Sequence, residues 1–475
     1  MKKFFNSFKF ILKAFLLVLI LLLGWVFINV TNLIKGKKLS EKDSVSKNMF
    51  GTDGASADAP GGGGACIGPP GCPHIAAYNG KVFRIENDFL PSEFKTLEPR
   101  LANIIYKWNN PAPDMLKLSS SPQKYNGALT LRLLEIEPEE SFIHRIKFLR
   151  VVHSKDEEVV IDAAKKEPYL VSKKEFEKEL VFPSNSVLNA EKSLDGLYAR
   201  NKRRLWGDIA ESRDDLFQKG DSVEFVFQNI EKNKDFLLVL RSVYRDYMVG
   251  EKVKEHNFFS AFTHSFAFAK IAAFGGLYFL LKGWLPADSL AFLPFIIGSG
   301  SMCKSIVFSY RNAFGKFIPL VVQKPRSFRH GTEVVSLPKE SVGEDGSLVV
   351  RANFTKRHRL SFIGVAKAAN LTAAIGEELS IKKALHSRLG DVSLALKGEE
   401  KKETHLIPGD TVEVSFENPA RPIGFGQKET YLLESSGFYT ALRPEYKKLA
   451  GNWQDKLSNE AKKHLASLVN LKDYA

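Results

Sequence analysis

The sequence lacks the short motifs that identify many enzymes. It contains no Gly-x-Ser-x-Gly elbow, no phosphate-binding loop, no His-Glu-x-x-His pair and no dinucleotide-binding fingerprint. Its ten histidines are scattered singly along the chain. Acidic clusters at Glu139-Glu140, Asp156-Glu157-Glu158 and Asp214-Asp215 lie in polar surroundings and are expected on a solvated surface. We therefore predict no catalytic residue, no cofactor and a non-catalytic function.

Cysteine is scarce, with three residues in a chain of 475. Cys66 and Cys72 flank an Ile-Gly-Pro-Pro-Gly turn and are followed by His74. Outside the cytoplasm the two thiols would form a small disulfide loop, which is the favoured interpretation. A metal site that includes His74 and a pair of free thiols are the alternatives, and the spacing is not that of a standard zinc knuckle. Cys303 is expected to be a buried apolar residue.

Tyrosine and tryptophan are few compared with phenylalanine, 13 and 5 residues against 36. This usage is typical of sheet cores and membrane segments. The formal charge of +14 suits nucleic acid, an anionic membrane surface or an acidic polysaccharide. The basic patch at 202–206 stands alone, so nucleic acid is not a predicted partner. A membrane is, because the chain begins with a hydrophobic span.

Residues 14–30 form an apolar run that follows four lysines, Lys2, Lys3, Lys9 and Lys13. With residues 10–12 the run approaches the roughly 20 residues that cross a bilayer. No small-x-small cleavage site follows it, so an uncleaved transmembrane anchor over 1–38, with a cytoplasmic amino terminus, is favoured over a signal peptide. The glycine-rich stretch 39–65 is predicted to be a flexible linker with a reach of about 30 Å.

Three blocks of sequence occur twice and in the same order. Gly-Asp-Ser-Val-Glu-Phe-Val-Phe-Gln-Asn at 220–229 returns as Gly-Asp-Thr-Val-Glu-Val-Ser-Phe-Glu-Asn at 409–418. Upstream, 127–132 matches 346–351, and apolar runs around Ile146 and Leu360 follow. Downstream, 236–244 matches 431–439. Two copies of this length indicate a pair of domains and not a solenoid.

The repeated blocks alternate apolar and polar residues, which is the period of a strand with one buried face. We therefore predict a mainly β protein with two related β-sandwich, jelly-roll-like modules at 66–250 and 315–442. Asp221 and Asp410 precede the repeated strands and are interpreted as turn residues, in preference to calcium or catalytic roles. Asn79-Gly80 predicts a hairpin with a tight type I′ turn.

Several of these motifs also occur together in one known family. They are Gly71 to Ile75, the Tyr78-Asn79-Gly80-Lys81 turn with Phe83, the run ending in His153, the Gly-Asp strand, and Ser436 to Tyr439. In this respect the chain resembles a family of uncharacterised exported bacterial proteins, in patches over 66–442. It departs at His144, where the family often has an acidic residue. The resemblance implies export and brings no established activity.

Two further segments are apolar or amphipathic. Residues 257–306 are predicted to be a hydrophobic helical hairpin, which keeps both modules in one compartment; an interfacial element and a helical pair packed on the modules are the alternatives. Lys270 and Pro294 fit poorly in a bilayer. Residues 443–475 predict an amphipathic helix that docks on its own domain or, alternatively, binds a partner.

The hydrophobic span, taken together with what the resemblance implies, predicts a bacterial inner-membrane protein with most of its chain outside the cytoplasm. Its expected function is binding or scaffolding, with another envelope protein or a glycan as the partner. The alternatives are a subunit of a larger membrane assembly and an envelope enzyme whose site is assembled from distant residues.

Overall fold

The computed structural model describes residues 73–446 except 91, 94–98, 137–138, 199–202, 207–214, 233, 245–304, 328, 369–370 and 401. These residues all belong to one compact unit. No helix in the described part of the chain is long and apolar enough to cross a membrane. The predicted anchor, linker, hydrophobic hairpin and C-terminal helix fall wholly or almost wholly outside it.

The described chain is mainly β, as predicted. The strands before residue 245 are β1 His74–Tyr78, β2 Phe83–Asp88, β3 Ser92–Glu93, β4 Asp114–Lys117, β5 Lys124–Tyr125, β6 Ala128–Leu134, β7 Glu139–Ser154, β8 Glu157–Asp162, β9 Pro168–Ser172, β10 Asn185–Leu188, β11 Lys192–Ser193, β12 Leu216–Phe217, β13 Ser222–Phe227 and β14 Phe236–Tyr244. The strands after residue 304 are β15 Ile306–Arg311, β16 Phe317–Gln323, β17 Gly331–Leu337, β18 Leu348–Phe354, β19 His358–Lys367, β20 Thr372–Ala373, β21 Glu377–Leu379, β22 Ile381–His386, β23 Gly390–Asp391, β24 Thr404–Leu406, β25 Thr411–Phe416 and β26 Gln427–Ala441. The helices are short: α1 Pro99–Asn109, α2 Lys173–Lys178, α3 Asp195–Tyr198, α4 Arg203–Trp206, α5 Ser393–Lys397 and a 3-10 turn at Lys339–Ser341.

These strands form four sheets within the described ranges. Sheet I has the order β2-β1-β6-β25-β22-β23, with β5 beside β6; sheet II is β21-β7-β26-β3, with β24 beside β7 and β4 beside β26. Sheet III is β11-β10-β13-β18-β15-β16, and sheet IV is β12-β19-β14-β17-β8-β9-β20. Neighbouring strands are antiparallel except for β17 with β8 and β26 with β3.

The sheets share cores in two pairs. Sheets I and II bury a common core that includes Leu131, Phe148, Val414 and Leu433, and we call this pair the terminal module. Sheets III and IV bury Phe225, Leu238, Val350 and Ile363 together, and this pair is the central module. Successive side chains of a strand point to opposite faces of the sheet. β13 and β25 accordingly bury every second residue in the core and leave the intervening residues partly exposed.

Each module is built from both halves of the chain. In the terminal module β6 pairs with β25 and β7 with β26; in the central module β13 pairs with β18 and β14 with β19. The terminal module therefore combines the first half of the first copy, β6 and β7, with the second half of the second copy, β25 and β26. The central module combines the second half of the first copy, β13 and β14, with the first half of the second copy, β18 and β19. Consecutive modules at 66–250 and 315–442 do not describe these sheets, because strand pairing follows long-range contacts and not chain order.

Both modules use the same register. Arg132 of β6 faces Glu413 of β25, and Arg351 of β18 faces Glu224 of β13. The ladder of β7 with β26 and that of β19 with β14 each carry one bulge, at corresponding steps of the repeat. The sequence repeat thus reappears as a repeated pattern of strand pairing.

One part of the sequence alignment is displaced in the structure. The sequence pattern alone matches Ile146 with Leu360. In the structure the residue that shares the core position of Leu360 is Ile143, and Ile363 corresponds to Ile146. The displacement is three residues. Both runs alternate apolar and polar residues, so periodicity alone does not determine which apolar residues correspond.

The predicted hairpin at Asn79-Gly80 is present, but its turn is not the tight two-residue one. β1 ends at Tyr78 and β2 begins at Phe83, so four residues form the loop. Asn79 Oδ1 accepts the N–H groups of Lys81 and Val82 at 3.0 and 2.9 Å. The asparagine side chain therefore replaces backbone hydrogen bonds in this turn.

Candidate functional site

The repeated signature places one arrangement of side chains on each module. Arg132 donates to Glu413 from Nε and Nη2 at 3.1 and 2.9 Å, and its guanidinium carbon lies 3.7 Å from the centre of the Phe83 ring. Arg351 donates to Glu224 at 3.1 and 2.6 Å and lies 3.5 Å from the ring centre of Phe317. We call these sets the Arg–Glu–Phe triads.

The triads lie on the outer faces of sheets I and III and are partly exposed. Glu413 and Glu224 keep 41% and 37% of their side-chain area accessible. Each guanidinium donates hydrogen bonds to a carboxylate and stacks its face on a phenylalanine ring. The triad therefore combines an ion pair with a cation–π contact. The arrangement links neighbouring strands, and in each triad both arginine hydrogen bonds end on one oxygen of the glutamate.

The terminal module extends its triad with two tyrosines. The rings of Tyr78 and Tyr125 lie 5.3 and 5.0 Å from that of Phe83. In the central module Arg311 pairs with Phe317 where Tyr78 pairs with Phe83. This aromatic surface therefore distinguishes the terminal module from its counterpart.

A second arrangement lies at one end of sheet II and joins residues from three distant parts of the chain. Glu140 of β7 is fully buried and lies 2.9 Å from His405 Nε2 of β24. Arg443, just after β26, donates to Glu140 from its backbone N–H at 2.8 Å and from Nε and Nη2 at 2.9 Å each. We call these three residues the Glu140 cluster.

Aromatic rings support the Glu140 cluster from one side. The His405 ring stacks on Phe142 with centres 4.7 Å apart, and Phe142 stacks on Phe438 at 4.9 Å. Tyr446 meets His405 edge-on at 5.0 Å. The rings exclude water from one face of the ion pair and so strengthen it.

A partly exposed polar group adjoins this stack. Glu403 accepts a 2.6 Å hydrogen bond from Asn103 of α1 and lies 3.5 Å from Lys107 Nζ and 3.8 Å from His144 Nε2. The His144 ring packs 4.8 Å from that of Tyr106. Helix α1 is thereby fastened to sheet II by one carboxylate and by apolar contacts of Ala102 and Tyr106.

Electrostatics determine what these groups can do at neutral pH. Burial opposes ionisation of Glu140, but hydrogen bonds from His405 and Arg443 outweigh it and hold its pKa at about 2. Burial lowers the pKa of His144 more than Glu403 raises it. A carboxylate whose pKa lies well below neutral pH and whose two oxygens both accept hydrogen bonds is a poor general base. The Glu140 cluster is thus suited to joining strands and not to proton transfer.

Next to Glu140 on β7, the residue at position 141 differs in chemistry from its counterpart in the central module. Ser141 of the terminal module donates a hydrogen bond to buried Glu135. In the central module His358 occupies the position of Ser141, since it pairs with β12 as Ser141 pairs with β24. The His358 ring packs between the rings of Tyr244 and Phe354, with ring centres 5.1 and 6.3 Å away. Neither ring nitrogen of His358 has a hydrogen-bond partner. Burial alone lowers its pKa to about 3.

Three lysines converge on Glu158 of β8, next to the terminal module. Lys117, Lys428 and Lys173 place Nζ 2.6, 2.8 and 3.3 Å from its carboxylate oxygens. Burial would raise the pKa of Glu158, but the charges and hydrogen bonds of Lys117 and Lys428 lower it to about 2. Since Lys117 and Lys428 belong to the terminal module and Glu158 pairs with sheet IV, the cluster joins the two modules.

The predicted metal and disulfide residues are only partly visible. Cys66 and Cys72 lie outside the described residues. His74 begins β1 and is 1% exposed. No group of three potential metal ligands occurs in the part of the chain that the structure describes. The disulfide over Cys66 and Cys72 stays a prediction.

The turn role of the repeated aspartates is confirmed. Asp221 Oδ2 accepts the N–H of Gln218 at 2.7 Å, and Asp410 Oδ2 accepts that of Ile407 at 3.0 Å. The side chains therefore close the same turn in each module.

The expectation of solvated acidic clusters is wrong for several residues. Glu139, Glu140 and Asp215 are at most 2% exposed. Glu140 finds its cationic partner Arg443 303 residues further along the chain, so no local pattern indicated its burial. Its pairing with Arg443 and His405 is visible only in the folded chain.

Comparison with known protein families and with curated proteins gives no match for this sequence.

Proposed function

We propose that this protein is a membrane-anchored, non-catalytic binding or scaffolding protein of the bacterial envelope. Each module is a β-sandwich, and segment 1–38 holds both in the extracytoplasmic space. The partner is another envelope protein or a glycan. The exchange of strands between the two halves of the chain is the observation that carries the topological part of this proposal.

Strand exchange constrains how the chain can cross a membrane. Hydrogen-bonded strands lie about 4.8 Å apart, and β13 and β14 before residue 245 pair with β18 and β19 after residue 304. Both flanks of segment 257–306 must therefore lie in one compartment. A single crossing by this segment is incompatible with the pairing, whereas a membrane hairpin or a non-crossing segment fits it.

A scaffolding role is supported by how the repeated residues are used. The signature aspartates close turns, and its glutamates pair with arginines across strands. In an enzyme built by duplication, at least one copy is expected to keep a polar group free for substrate. In the repeat described here the signature aspartates and glutamates each bond to another group of the fold, which supports a structural use of the signature.

Thiol accessibility tests the topology in intact cells. In a background with Cys66, Cys72 and Cys303 replaced by serine, Ser56→Cys, Lys219→Cys and Lys382→Cys place single thiols in the linker, the central module and the terminal module. A membrane-impermeant maleimide should label all three from outside the inner membrane. Labelling of Lys219→Cys and Lys382→Cys from opposite sides would contradict the proposal, as would labelling of all three only after cell lysis.

A further inference from the structure

The loop between β25 and β26, residues 417–426, presents apolar side chains to solvent. Phe425 is fully exposed, with 108% of its reference area accessible, and Ile423 is 45% exposed. Ile375, on the adjoining loop before β21, is 88% exposed. Single exposed apolar residues are common, but these three lie on loops that are joined by the hydrogen bond from the Ala420 N–H to Glu377 Oε1 at 2.9 Å.

This loop is held in place from beneath. Arg150, whose side chain is 2% exposed, pairs with Glu377 and donates from Nη1 to the carbonyl of Arg421 at 2.7 Å. At the tip, the N–H of Gly424 donates to Gln427 Oε1 at 2.9 Å. A Cβ at Gly424 would lie 2.8 Å from that oxygen, so a larger residue there would displace the Gln427 side chain. The apolar side chains are therefore presented by an ordered loop.

The equivalent loop of the central module has the opposite character. Residues 228–235, between β13 and β14, read Gln-Asn-Ile-Glu-Lys-Asn-Lys-Asp. Ile230 is buried, while Lys232 and Lys234 pair with Glu344 and Glu231. The apolar tip is thus a property of the terminal module and not of the repeated fold.

We propose that loop 417–426 inserts Ile423 and Phe425 into the interfacial region of the lipid bilayer that carries the anchor. The chain then meets the membrane at two points, the predicted span and this loop. The inference rests on the membrane anchorage proposed above. Its occupant is a lipid surface because a hydrophobic span in the same chain keeps the module close to one.

The geometry of the terminal module permits this contact. The chain enters the module at His74, which lies beside Leu134, whereas the loop follows Phe416, which lies beside Leu129. These ends are separated by five residues of strand, or about 17 Å. A flexible chain of the length of segment 39–65 has a reach of about 30 Å, which exceeds this separation.

Charge at this end of the module is nearly balanced. Arg421 and Lys155 are exposed there, as are Glu417 and Asp156. Apolar insertion and not electrostatic attraction would therefore supply most of the contact. The loop should then enter neutral and anionic bilayers alike.

Quenching by lipid-bound nitroxides tests the insertion in the full chain reconstituted into phosphatidylcholine liposomes. In the cysteine-free background, an environment-sensitive fluorophore is attached to Ile423→Cys, to Lys232→Cys in the equivalent loop, and to Ile20→Cys in the span. We expect at least twofold quenching at 423 and 20, and none at 232. Fluorescence at 423 that matches 232 while 20 is quenched would overturn the loop proposal and leave the anchor intact. An unquenched label at 20 would refute the anchor, and quenching at 423 in that sample would still support the loop.

A substitution pair assigns the contact to this loop. Phe425→Asp should abolish quenching at 423, whereas Phe314→Asp, which alters another exposed phenylalanine at 88% accessibility, should not change it. Equal loss from both variants, or no loss from Phe425→Asp, would overturn the proposal. Unchanged circular dichroism would show that both variants are folded.

Discussion

Arg132 donates two hydrogen bonds to Glu413, although 281 residues separate them in the chain. Arg351 and Glu224 form the same contact across 127 residues in the opposite chain order. In the terminal module the arginine comes from the first copy of the repeat; in the central module it comes from the second. The two pairs therefore record the exchange of half-modules within one chain.

The Arg132–Glu413 pair should contribute a measurable but modest coupling. Its side chains are 32% and 41% exposed, so a double-mutant cycle with Arg132→Met and Glu413→Gln should give about 0.5–1 kcal/mol. The Arg351–Glu224 pair is the matched control and should give a similar value. Urea denaturation measures both. Coupling near zero in both cycles would contradict a stabilising role for the repeated signature.

The exchange predicts that the two halves of the chain stay together when the connection between them is cut. A protease site placed between residues 245 and 257 allows cleavage of the purified protein in mild detergent. Because all four sheets contain strands of both halves, the fragments should co-elute on size exclusion and separate only in denaturant. A cleavage site in linker 39–65 is the control and should release the folded part. Separation of the halves under native conditions would rule out the exchanged pairing.

A buried ion pair joins the two modules. Arg326, between β16 and β17, donates to both carboxylate oxygens of Asp114 at 2.7 and 2.8 Å and to the carbonyl of Met115 at 2.9 Å. Arg326→Met leaves Asp114 buried and unpaired, so it should destabilise the protein by about 3–5 kcal/mol in urea denaturation. Glu344→Gln at an exposed ion pair is the control and should cost less than about 1 kcal/mol. Equal effects would indicate that Asp114 is solvated.

His358 should make stability depend on pH in the acid range. Its pKa in the folded protein, about 3, lies below the ordinary value of 6.5. Between these two pH values the unfolded chain binds a proton at His358 and the folded chain does not. The stabilisation from neutral His358 is complete above pH 6.5 and is lost as the pH falls toward 3. The slope is at most about 1.4 kcal/mol per pH unit.

Thermal unfolding between pH 7 and pH 4 measures this dependence. The variant His358→Leu should flatten the slope, whereas Phe354→Leu, beside it, should lower stability without changing the slope. An unchanged slope in His358→Leu would show that protonation of this residue does not control acid unfolding.

The predicted bridge between Cys66 and Cys72 has a direct test in mass spectrometry. The intact protein isolated without reductant should be lighter than the reduced protein by two hydrogen atoms. Equal masses would refute the bridge, and chelator-sensitive addition of a metal mass would favour the alternative that includes His74.

Local features of the fold were predictable from sequence. Alternation in 222–227 and 411–416 predicted strands that the structure contains, and the Gly-Asp pairs predicted turns that Asp221 and Asp410 close. The Glu140 cluster was not predictable. Its members are separated by 265 and 303 residues, and an acidic pair in a polar stretch carries no local sign of burial.

From the sequence alone it was predictable that the repeated blocks are strands, which of their residues are buried, and that one pattern occurs twice. These properties follow from side-chain alternation and turn chemistry, which act over a few residues. Tertiary structure decided which copy supplies each partner strand. Both copies present the same register with the same Arg and Glu, so local complementarity is nearly equal for the two choices. Long-range contacts, such as those of β8 with β17 and of Arg326 with Asp114, are present in the exchanged arrangement and are not indicated by any local pattern.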